Sequence, residues 1–237
     1  RSKQVMKLSK LVAFQRRDTL VHHHLKKIMY SKNNSYQEKP KFYNGHRNRK
    51  NHNELKISNE DFDQKLNDQN QINILDIGFG SGESIVSQDF KQCNIFGIES
   101  YSRGIVKMNK YKNQMNIKNL FLFHGDAVEI IEKIIPKKSI NVINIFFPDP
   151  WPKKKHHKRR LISHYTIGLF RQILRKNGFI HFASDHIDYA HQAKYIFENT
   201  LNKKLFFSNF RQKRPITKYE QKAIDKKRFI FDLLIEF

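Results

Sequence analysis

A single aspartate, Asp149, stands between two prolines at the end of a strongly apolar stretch of the chain. Residues 140–147 before it predict a buried strand, and the two prolines restrict the backbone on either side of the acid. A tryptophan and a third proline follow, and residues 153–160 then contain six Lys or Arg and two His. This order indicates an acid that faces a reaction centre, with cations beside it that hold a polyanion.

A glycine-rich segment, "LDIGFGSGES", places Gly78, Gly80 and Gly82 between a predicted strand and a predicted helix. Glycines there let the backbone turn sharply and let a ligand touch the main chain. The dinucleotide pattern G-x-G-x-x-G is not met, because its last position is Glu83, and an acid at a helix start opposes a pyrophosphate. With Asp76 just before the loop, the segment favours a ligand with positive groups, such as S-adenosylmethionine, over a nicotinamide dinucleotide.

Two more acids follow predicted strands. Glu99 lies 23 residues after Asp76, where an acid can accept hydrogen bonds from both ribose hydroxyls. Asp126 could bond an adenine amino group, cap the helix that follows it, or do both. Because open α/β sheets bind ligands at the carboxyl ends of their strands, we expect Asp149 to face the same crevice.

Short apolar runs alternate with amphipathic segments from residue 72 onward, which predicts an α/β fold with helices on both faces of a mostly parallel sheet. Strands are predicted at 72–77, 94–98, 119–123, 140–147 and 178–183, and helices at 82–90, 102–116, 126–134, 162–176 and 187–200. Two further strands are predicted at 204–209 and 228–236. The last of these would be an antiparallel C-terminal strand.

The first part of the chain has a different composition. Residues 1–30 are basic with scattered apolar positions, and residues 31–71 are rich in Asn, Lys, Gln and Asp. The sequence therefore predicts a partly flexible extension and connector over 1–71 and one domain over 72–237. Three adjacent histidines, at 22–24, would point in different directions from a helix, and we expect no metal site there.

The overall composition narrows the partners. Among 237 residues, 45 Lys and Arg stand against 22 acids, a net charge of +23. Such an excess favours nucleic acid or another anionic surface, although A/T-rich codons also account for part of it. The single cysteine excludes an internal disulfide and predicts a cytoplasmic protein. No apolar run approaches the roughly 20 residues of a membrane span.

The stretch "FFPDPWPKKKHHKRRL" resembles the signature of the bacterial tRNA (guanine-N-7-)-methyltransferase family. The segments "DIGFGSGES", "GIES", "HGDAVE", "FASD" and "RPITKYEQKA" match the same family in order over residues 72–237. Before residue 72 the resemblance is weak, apart from "FQRRDTL". It implies a class I methyltransferase (Rossmann-like) fold, S-adenosylmethionine as methyl donor, tRNA as partner, and N-7 of a guanosine in the tRNA variable loop as the target.

The resemblance also implies roles for individual residues. Asp149 would be catalytic, and it would line the donor site together with Asp76, Gly78, Gly80, Gly82, Glu99 and Asp126. The substrate would be met by Lys153, Asp185, Thr217, Lys218, Tyr219 and Glu220. The tRNA would be bound by Lys155, His156, His157, Lys158, Arg159 and Arg160. The chain departs from the family where Asp76 replaces the usual Glu, Tyr219 the commoner Phe, and His186 a frequent aromatic.

Such a site needs no general base, since N-7 of guanine carries an unprotonated lone pair. Alignment of the methyl group is a positioning problem, and a carboxylate can stabilise the charge that moves to the purine. Other interpretations stay open at this point: a methyltransferase acting on another RNA or a small molecule, or a non-catalytic RNA-binding protein. Trp151 could stack on a base or pack beneath its loop, and Glu220 could form a surface salt bridge. The chain could be a monomer or a homodimer.

Overall fold

The computed structural model describes residues 37–41, 60–68, 70–208 and 214–237. Residues 37–237 form one compact unit. The predictions for the basic extension 1–30, including "FQRRDTL", lie outside the described residues, as do those for most of the connector.

Six strands form one sheet in the order β3-β2-β1-β4-β5-β6. They are β1 (Ile72–Ile77), β2 (Cys93–Glu99), β3 (Leu120–His124), β4 (Ile140–Phe146), β5 (Leu174–Ser184) and β6 (Phe231–Glu236). Neighbouring strands are parallel from β3 through β5, and β6 runs antiparallel to β5. The predicted fold class, a mostly parallel sheet with an antiparallel C-terminal strand, is confirmed.

Seven α-helices and one short 3₁₀ helix accompany the sheet in the described residues. They are α1 (Glu60–Asn67), α2 (Glu83–Val86), α3 (Ser102–Gln114), α4 (Ala127–Lys133), the 3₁₀ helix η1 (Lys154–Arg159), α5 (His164–Ile173), α6 (Ile187–Leu201) and α7 (Lys218–Asp225). Strand order moves outward from β1 to β3 and then returns to β4 and β5. Right-handed crossovers in opposite directions place helices on both faces, and the carboxyl ends of β1 and β4 flank the point of reversal.

Besides helix α7, which forms between the last two predicted strands where the sequence shows no clear helix, the sequence predictions fail in three places. Residues 204–208 form no strand, although the Ser208 N–H donates to the carbonyl of Asp232 in β6 over 2.9 Å. The helix predicted at 82–90 is the single turn α2, because the chain bends away after Ser87, whose hydroxyl bonds the Ser84 carbonyl at 2.9 Å. Strand β5 begins at Leu174 rather than 178, because Leu174 pairs with Ile140 ahead of a register shift.

Helix α1 packs on the sheet through Phe62, which is 2% exposed. Its ring meets Phe96, Phe121 and Phe123 edge-on at centroid distances of 5.7, 5.4 and 5.9 Å. At the end of α1, the Leu66 carbonyl accepts bonds from Asn73 and Arg175 at 2.9 and 2.8 Å. Part of the segment predicted as connector therefore contacts the sheet, while the division at residue 72 stays a prediction.

Candidate active site

The glycine loop follows β1 and turns sharply through residues in left-handed conformation. Gly78, Gly80 and Gly82 have φ angles of 74°, 57° and 87°, a region that side-chain-bearing residues rarely adopt. The Gly78 N–H donates to the carbonyl of Ile98 at 2.8 Å, which ties the loop to the end of β2. The three predicted glycines thus form a backbone-lined turn at the carboxyl edge of the sheet.

Glu99, at the end of β2, joins that loop to helix α3. One carboxylate oxygen accepts the Gly80 N–H at 2.7 Å, and the other accepts the Tyr101 N–H at 2.8 Å. Gly104 in α3 completes the junction, because a Cβ there would lie 2.3 Å from the Gly80 carbonyl oxygen. Gly104 was not among the predicted site residues, although a glycine near the start of a predicted helix was a signal for it.

Asp76 is buried directly before the loop, with only 2% of its surface exposed. Burial raises the pKa of its carboxyl to about 7, with the Ser84 side chain bonding the carboxylate and opposing the rise, and with the charge of Glu99 adding to it. A carboxylate held this close to a second acid and away from water favours a cationic ligand group beside it. This observation fits the positive charge expected of the donor.

Asp126 begins helix α4 and accepts the Val128 N–H at 2.9 Å, so it acts as the N-cap. Burial raises the pKa of this carboxyl, and the backbone bond to Val128 opposes that rise. Its helix-capping role is therefore observed, while a bond from Asp126 to adenine stays a prediction.

The loop that carries Asp149 leaves β4 through two residues in left-handed conformation. Phe147 has φ 53° and Trp151 has φ 42°, and such angles cost non-glycine residues about 1–3 kcal/mol each. The Phe147 N–H anchors the start of the loop to the Ala183 carbonyl in β5 at 2.7 Å. Asp149 is exposed, yet desolvation by the surrounding protein raises the pKa of its carboxyl.

The cationic residues predicted to bind RNA differ in exposure. Lys155 and Lys158 are exposed in η1, and so are Lys154 beside them and Lys153 just before the helix, which was predicted to meet the substrate. Of the two histidines, His156 meets the Trp151 ring edge-on at 5.8 Å, and His157 places Nε2 3.9 Å from Asp188 Oδ2.

The Trp151 ring also lies 5.0 Å from the guanidinium carbon of Arg159. Trp151 therefore packs within its own segment, against η1, while stacking on a base stays a prediction.

Arg160 bonds other parts of the protein. Its side chain is buried, with 2% of the residue exposed, and its guanidinium bonds the Pro150 carbonyl and the side chains of Asp188 and Gln192. A phosphate cannot reach this group without displacing protein acceptors. Arg160 therefore has protein partners in this structure, and its assignment as a direct RNA contact stays a prediction. The sequence could not reveal the burial, because the residue continues an exposed cationic run.

Helix α7 begins with a cap and a buried ion pair. The Thr217 hydroxyl accepts the Glu220 N–H at 3.1 Å, and Glu220, with none of its surface exposed, pairs with Arg214. The alternative of a surface salt bridge between Glu220 and neighbouring lysines is therefore wrong. The Glu220 carboxylate is enclosed with the Arg214 guanidinium, while its contact with the substrate stays a prediction.

Arg214 also bonds both carboxylate oxygens of Asp232 in β6 at 3.0 Å. His181 in β5 bonds the same carboxylate at 2.9 Å. Burial opposes ionisation of Asp232, but the bonds from His181 and Arg214 outweigh it and lower the pKa of this acid. The sequence analysis missed Arg214, Asp232 and His181, whose separation along the chain gives no local signal.

Tyr219 brings α7 to the glycine loop. A Cβ on Gly80 would lie 3.7 Å from the Tyr219 ring, although 59% of the tyrosine is exposed. Partial burial raises the pKa of its hydroxyl, and the charges of Asp149 and Glu99 add to that rise. Tyr219 therefore lies beside the loop that follows β1, where the charge of Asp149 acts on its hydroxyl.

The remaining predicted substrate residues lie around the same edge. Asp185 follows β5 and forms an ion pair with Arg228 at 2.8 Å. Lys218 is exposed in the first turn of α7, and Lys153 precedes η1. The structure thus brings Asp76, the glycines, Glu99, Asp149 and Tyr219 together, while Asp185 and Glu220 each have a protein partner.

Two negative findings hold for residues 37–41, 60–68, 70–208 and 214–237 alone. No cluster of three or more His, Cys, Asp or Glu able to hold a metal ion occurs among them. No helix within these ranges is long and apolar enough to cross a membrane.

Comparison with known proteins identifies first the class and then the family. Residues 70–233 match the family model described as "Putative methyltransferase". A tRNA (guanine-N(7)-)-methyltransferase of Francisella philomiragia is 36% identical over 181 residues, 74% of this chain and 79% of the relative. The enzyme of the same name from Buchnera aphidicola is 39% identical over 170 residues, 69% of this chain and 71% of the relative. The chain belongs to the tRNA (guanine-N(7)-)-methyltransferase family.

The fold is also similar to a solved structure of an antibiotic-related methyltransferase. The match has a TM-score of 0.51 and 15% identity, and it covers 76% of this chain and 94% of the other. At that identity the likeness concerns the fold alone.

Proposed function

We propose that this protein transfers a methyl group from S-adenosylmethionine to N-7 of a guanosine in the variable loop of tRNA. The observation that carries the proposal is the convergence at one sheet edge of a backbone-lined glycine loop, a buried acid, and Asp149 beside an exposed cationic helix. Family membership supports the same activity. The single cysteine and the tRNA substrate both suit a cytoplasmic location.

The donor would occupy the side of the crevice built by β1, β2 and their loops. When bound, S-adenosylmethionine supplies an electrophilic methyl group on a sulfonium. Asp76 would stabilise the positive charge of the ligand, and the glycine loop would let its atoms approach the main chain. Glu99 keeps lone pairs beyond its bonds to Gly80 and Tyr101, so it could accept from ribose hydroxyls as well. Asp126 would contact the adenine end.

The guanine would lie between that site and Asp149. Its N-7 needs no general base, so the protein has to align N-7 with the methyl group and the sulfur of the donor and to hold them in that alignment. Asp149 would stabilise the positive charge that develops on the purine. Its raised pKa reflects an environment poorly solvated for a carboxylate, in which such an interaction is stronger.

The exposed lysines of η1 would bind the tRNA backbone next to the reaction centre. Phosphate contacts of this kind supply affinity and register but little sequence choice. The choice of guanosine would then come from RNA shape and from the pocket that receives the base. Tyr219, which is exposed beside the glycine loop, would stack against it.

The test is incubation of the protein with methyl-labelled donor and an unmodified tRNA transcript, followed by mapping of the methylated atom. The proposal expects one label per tRNA, at N-7 of a variable-loop guanosine, and no label when that guanosine is replaced by adenosine. Methylation of another RNA instead of tRNA would favour the alternative substrate class. Donor binding without transfer to any RNA would refute the activity.

A further inference from the structure

Arg160 differs from the other cations of residues 153–160 in being fully buried, at 2% exposure. Its Nε–H donates to the Pro150 carbonyl at 2.7 Å. Its two terminal nitrogens donate to Gln192 Oε1 and to Asp188 Oδ2, the latter at 3.1 Å. One side chain therefore joins the residue after Asp149 to two turns of helix α6.

The guanidinium of Arg160 lies over the ring of Tyr189 in helix α6, with 5.0 Å between the guanidinium carbon and the ring centroid. The Tyr189 hydroxyl in turn accepts the N–H of Ile162 at 3.2 Å. Both ends of the segment that contains the cationic helix, Pro150 and Ile162, are thus held against α6. A planar group with five donors can make all these contacts at once, whereas a lysine ammonium cannot.

The segment needs such a restraint because its conformation is strained. Phe147 and Trp151, on either side of Pro148, Asp149 and Pro150, both have positive φ angles. Backbone angles of this kind persist only where surrounding structure holds them. The guanidinium bond falls on the peptide between Pro150 and Trp151, so it acts on the strained turn itself.

The contribution is geometric rather than electrostatic. The pKa of Asp149 is raised through desolvation by the surrounding protein, whereas a guanidinium acting directly on that acid would lower it. We propose that Arg160 is a positioning residue that holds the Asp149 loop in its reactive geometry by clamping the Pro150 carbonyl to helix α6. The statement rests on the proposed methyl transfer for its kinetic consequence but not for its structural one.

The decisive variant is Arg160→Lys, which keeps the charge and removes the planar fork. We expect turnover at saturating tRNA to fall roughly 10- to 100-fold, since misplacement of about 1 Å costs that much in a positioned reaction. The salt dependence of tRNA binding should stay at its wild-type slope. Lys158→Gln is the matched contrast, because it removes an exposed charge from the same segment and should lower that slope by roughly 0.7–0.9.

Hydrogen exchange supplies a measurement that does not depend on catalysis. In Arg160→Lys the amides of residues 147–162 should exchange faster than in wild type, whereas in Lys158→Gln they should exchange at the wild-type rate. Asp188→Asn, which weakens one bond at a half-exposed position, should show the same loop effect in smaller degree. If Arg160→Lys does not fold, Asp188→Asn is the variant in which the exchange of the loop amides is measured.

Two outcomes would overturn the proposal. One is wild-type turnover at saturating tRNA in Arg160→Lys, which would show that the planar fork is not needed to hold the Asp149 loop in its reactive geometry. The other is wild-type loop exchange in both Arg160→Lys and Asp188→Asn. Failure of the wild-type protein to methylate tRNA would remove the proposed function but leave the exchange result to decide the clamp.

Discussion

The two sides of the crevice are constructed in different ways. The glycine side, made of residues 76–82 and 99–104, is held by backbone geometry and by the Glu99 carboxylate, which accepts two main-chain N–H groups. The Asp149 side, made of residues 147–160 and 214–220, is held by two buried arginines that connect distant segments. The glycine side can form only where bulky side chains are absent from the turn. The Asp149 side can form only where each buried arginine has carboxylate or carbonyl partners.

This difference predicts different weaknesses. On the glycine side, the sensitive substitutions should be those that add atoms, as at Gly104, where a Cβ meets the Gly80 carbonyl. On the Asp149 side, they should be those that remove one member of a buried ion pair, because the partner is then left charged in a poorly solvated place.

The largest effect is expected from removing Arg214, the second of the two buried arginines. Arg214→Met leaves the carboxylates of Glu220 and Asp232 buried without their cation. Removing one member of a buried pair costs about 3–5 kcal/mol, so urea unfolding should show a loss of that order. Arg228→Met is the control, since that arginine is half-exposed and pairs with Asp185 at the surface, where a pair contributes about 0–1 kcal/mol. Equal losses in both variants would contradict the distinction between the two arginines.

The next effect concerns chemistry rather than folding. Asp149→Asn keeps the shape of the loop and removes the charge, and we expect turnover to fall roughly 100- to 1,000-fold, as for loss of other preorganised electrostatic groups. Donor affinity, measured by calorimetry, should stay within a factor of about three if the donor is held by the glycine side. Turnover near the wild-type value would show that charge is not what Asp149 supplies. A parallel loss of donor affinity would show that the two sides are not independent.

How much of this arrangement the sequence could predict differs between the same two sides. Gly78, Gly80, Gly82, Asp76 and Glu99 lie at strand ends and in a tight turn, so local spacing places them correctly. The contacts of the two buried arginines join residues far apart in the sequence. Arg214 bonds Asp232 across 18 positions, and Arg160 bonds Gln192 across 32 positions.

The sequence shows the charge of a residue but not whether that charge is buried. For this reason Arg160 is predicted among the RNA contacts and Glu220 among the substrate contacts, and neither burial is foreseen. The strand predicted at 204–209 is absent from the described residues 204–208 for a similar reason. The segment bonds β6 through Ser208, but residues 204–208 do not form a regular ladder. An apolar pattern alone cannot tell these two states apart.

A smaller effect should come from the exposed part of the Asp149 side. Neutralising Lys154, Lys155, Lys158 and Arg159 together should weaken tRNA binding and lower the log–log salt slope by about one to three, at roughly 0.7–0.9 for each phosphate that the variant no longer neutralises. Arg160 is kept because it is buried. Turnover at saturating tRNA should fall much less than affinity, since these side chains act mainly on capture of the substrate.

The control for that variant is a set of four exposed lysines in the turns that precede β2, β3 and β4, at the opposite edge of the sheet. They are Lys91, Lys118, Lys137 and Lys138. Their neutralisation removes the same total charge, so the slope should change little if location rather than net charge decides binding. Equal slopes in the two variants would mean that the cationic helix has no special role.

The smallest effect belongs to the glycine side and depends on pH. Because burial raises the pKa of Asp76 to about 7, while an unfolded aspartate ionises at about pH 4, the native protein binds the extra proton between these values. Asp76 therefore lowers the stability of the ligand-free protein progressively as pH rises through that window. A cationic donor should bind the ionised carboxylate, so its affinity should rise about tenfold from pH 6 to pH 8, in proportion to the ionised fraction.

The amino group of the donor also titrates in this range, so the comparison has to be made against Asp76→Asn. That variant should be more stable than wild type above pH 7, because it removes a buried charge, and its donor affinity should be weaker and less dependent on pH. The difference between the two titrations isolates Asp76, and calorimetry in buffers of different ionisation enthalpy should detect proton release on binding near pH 6. Identical pH profiles in the two proteins would mean that the ligand charge lies elsewhere, and would shift the predicted contact to Glu99.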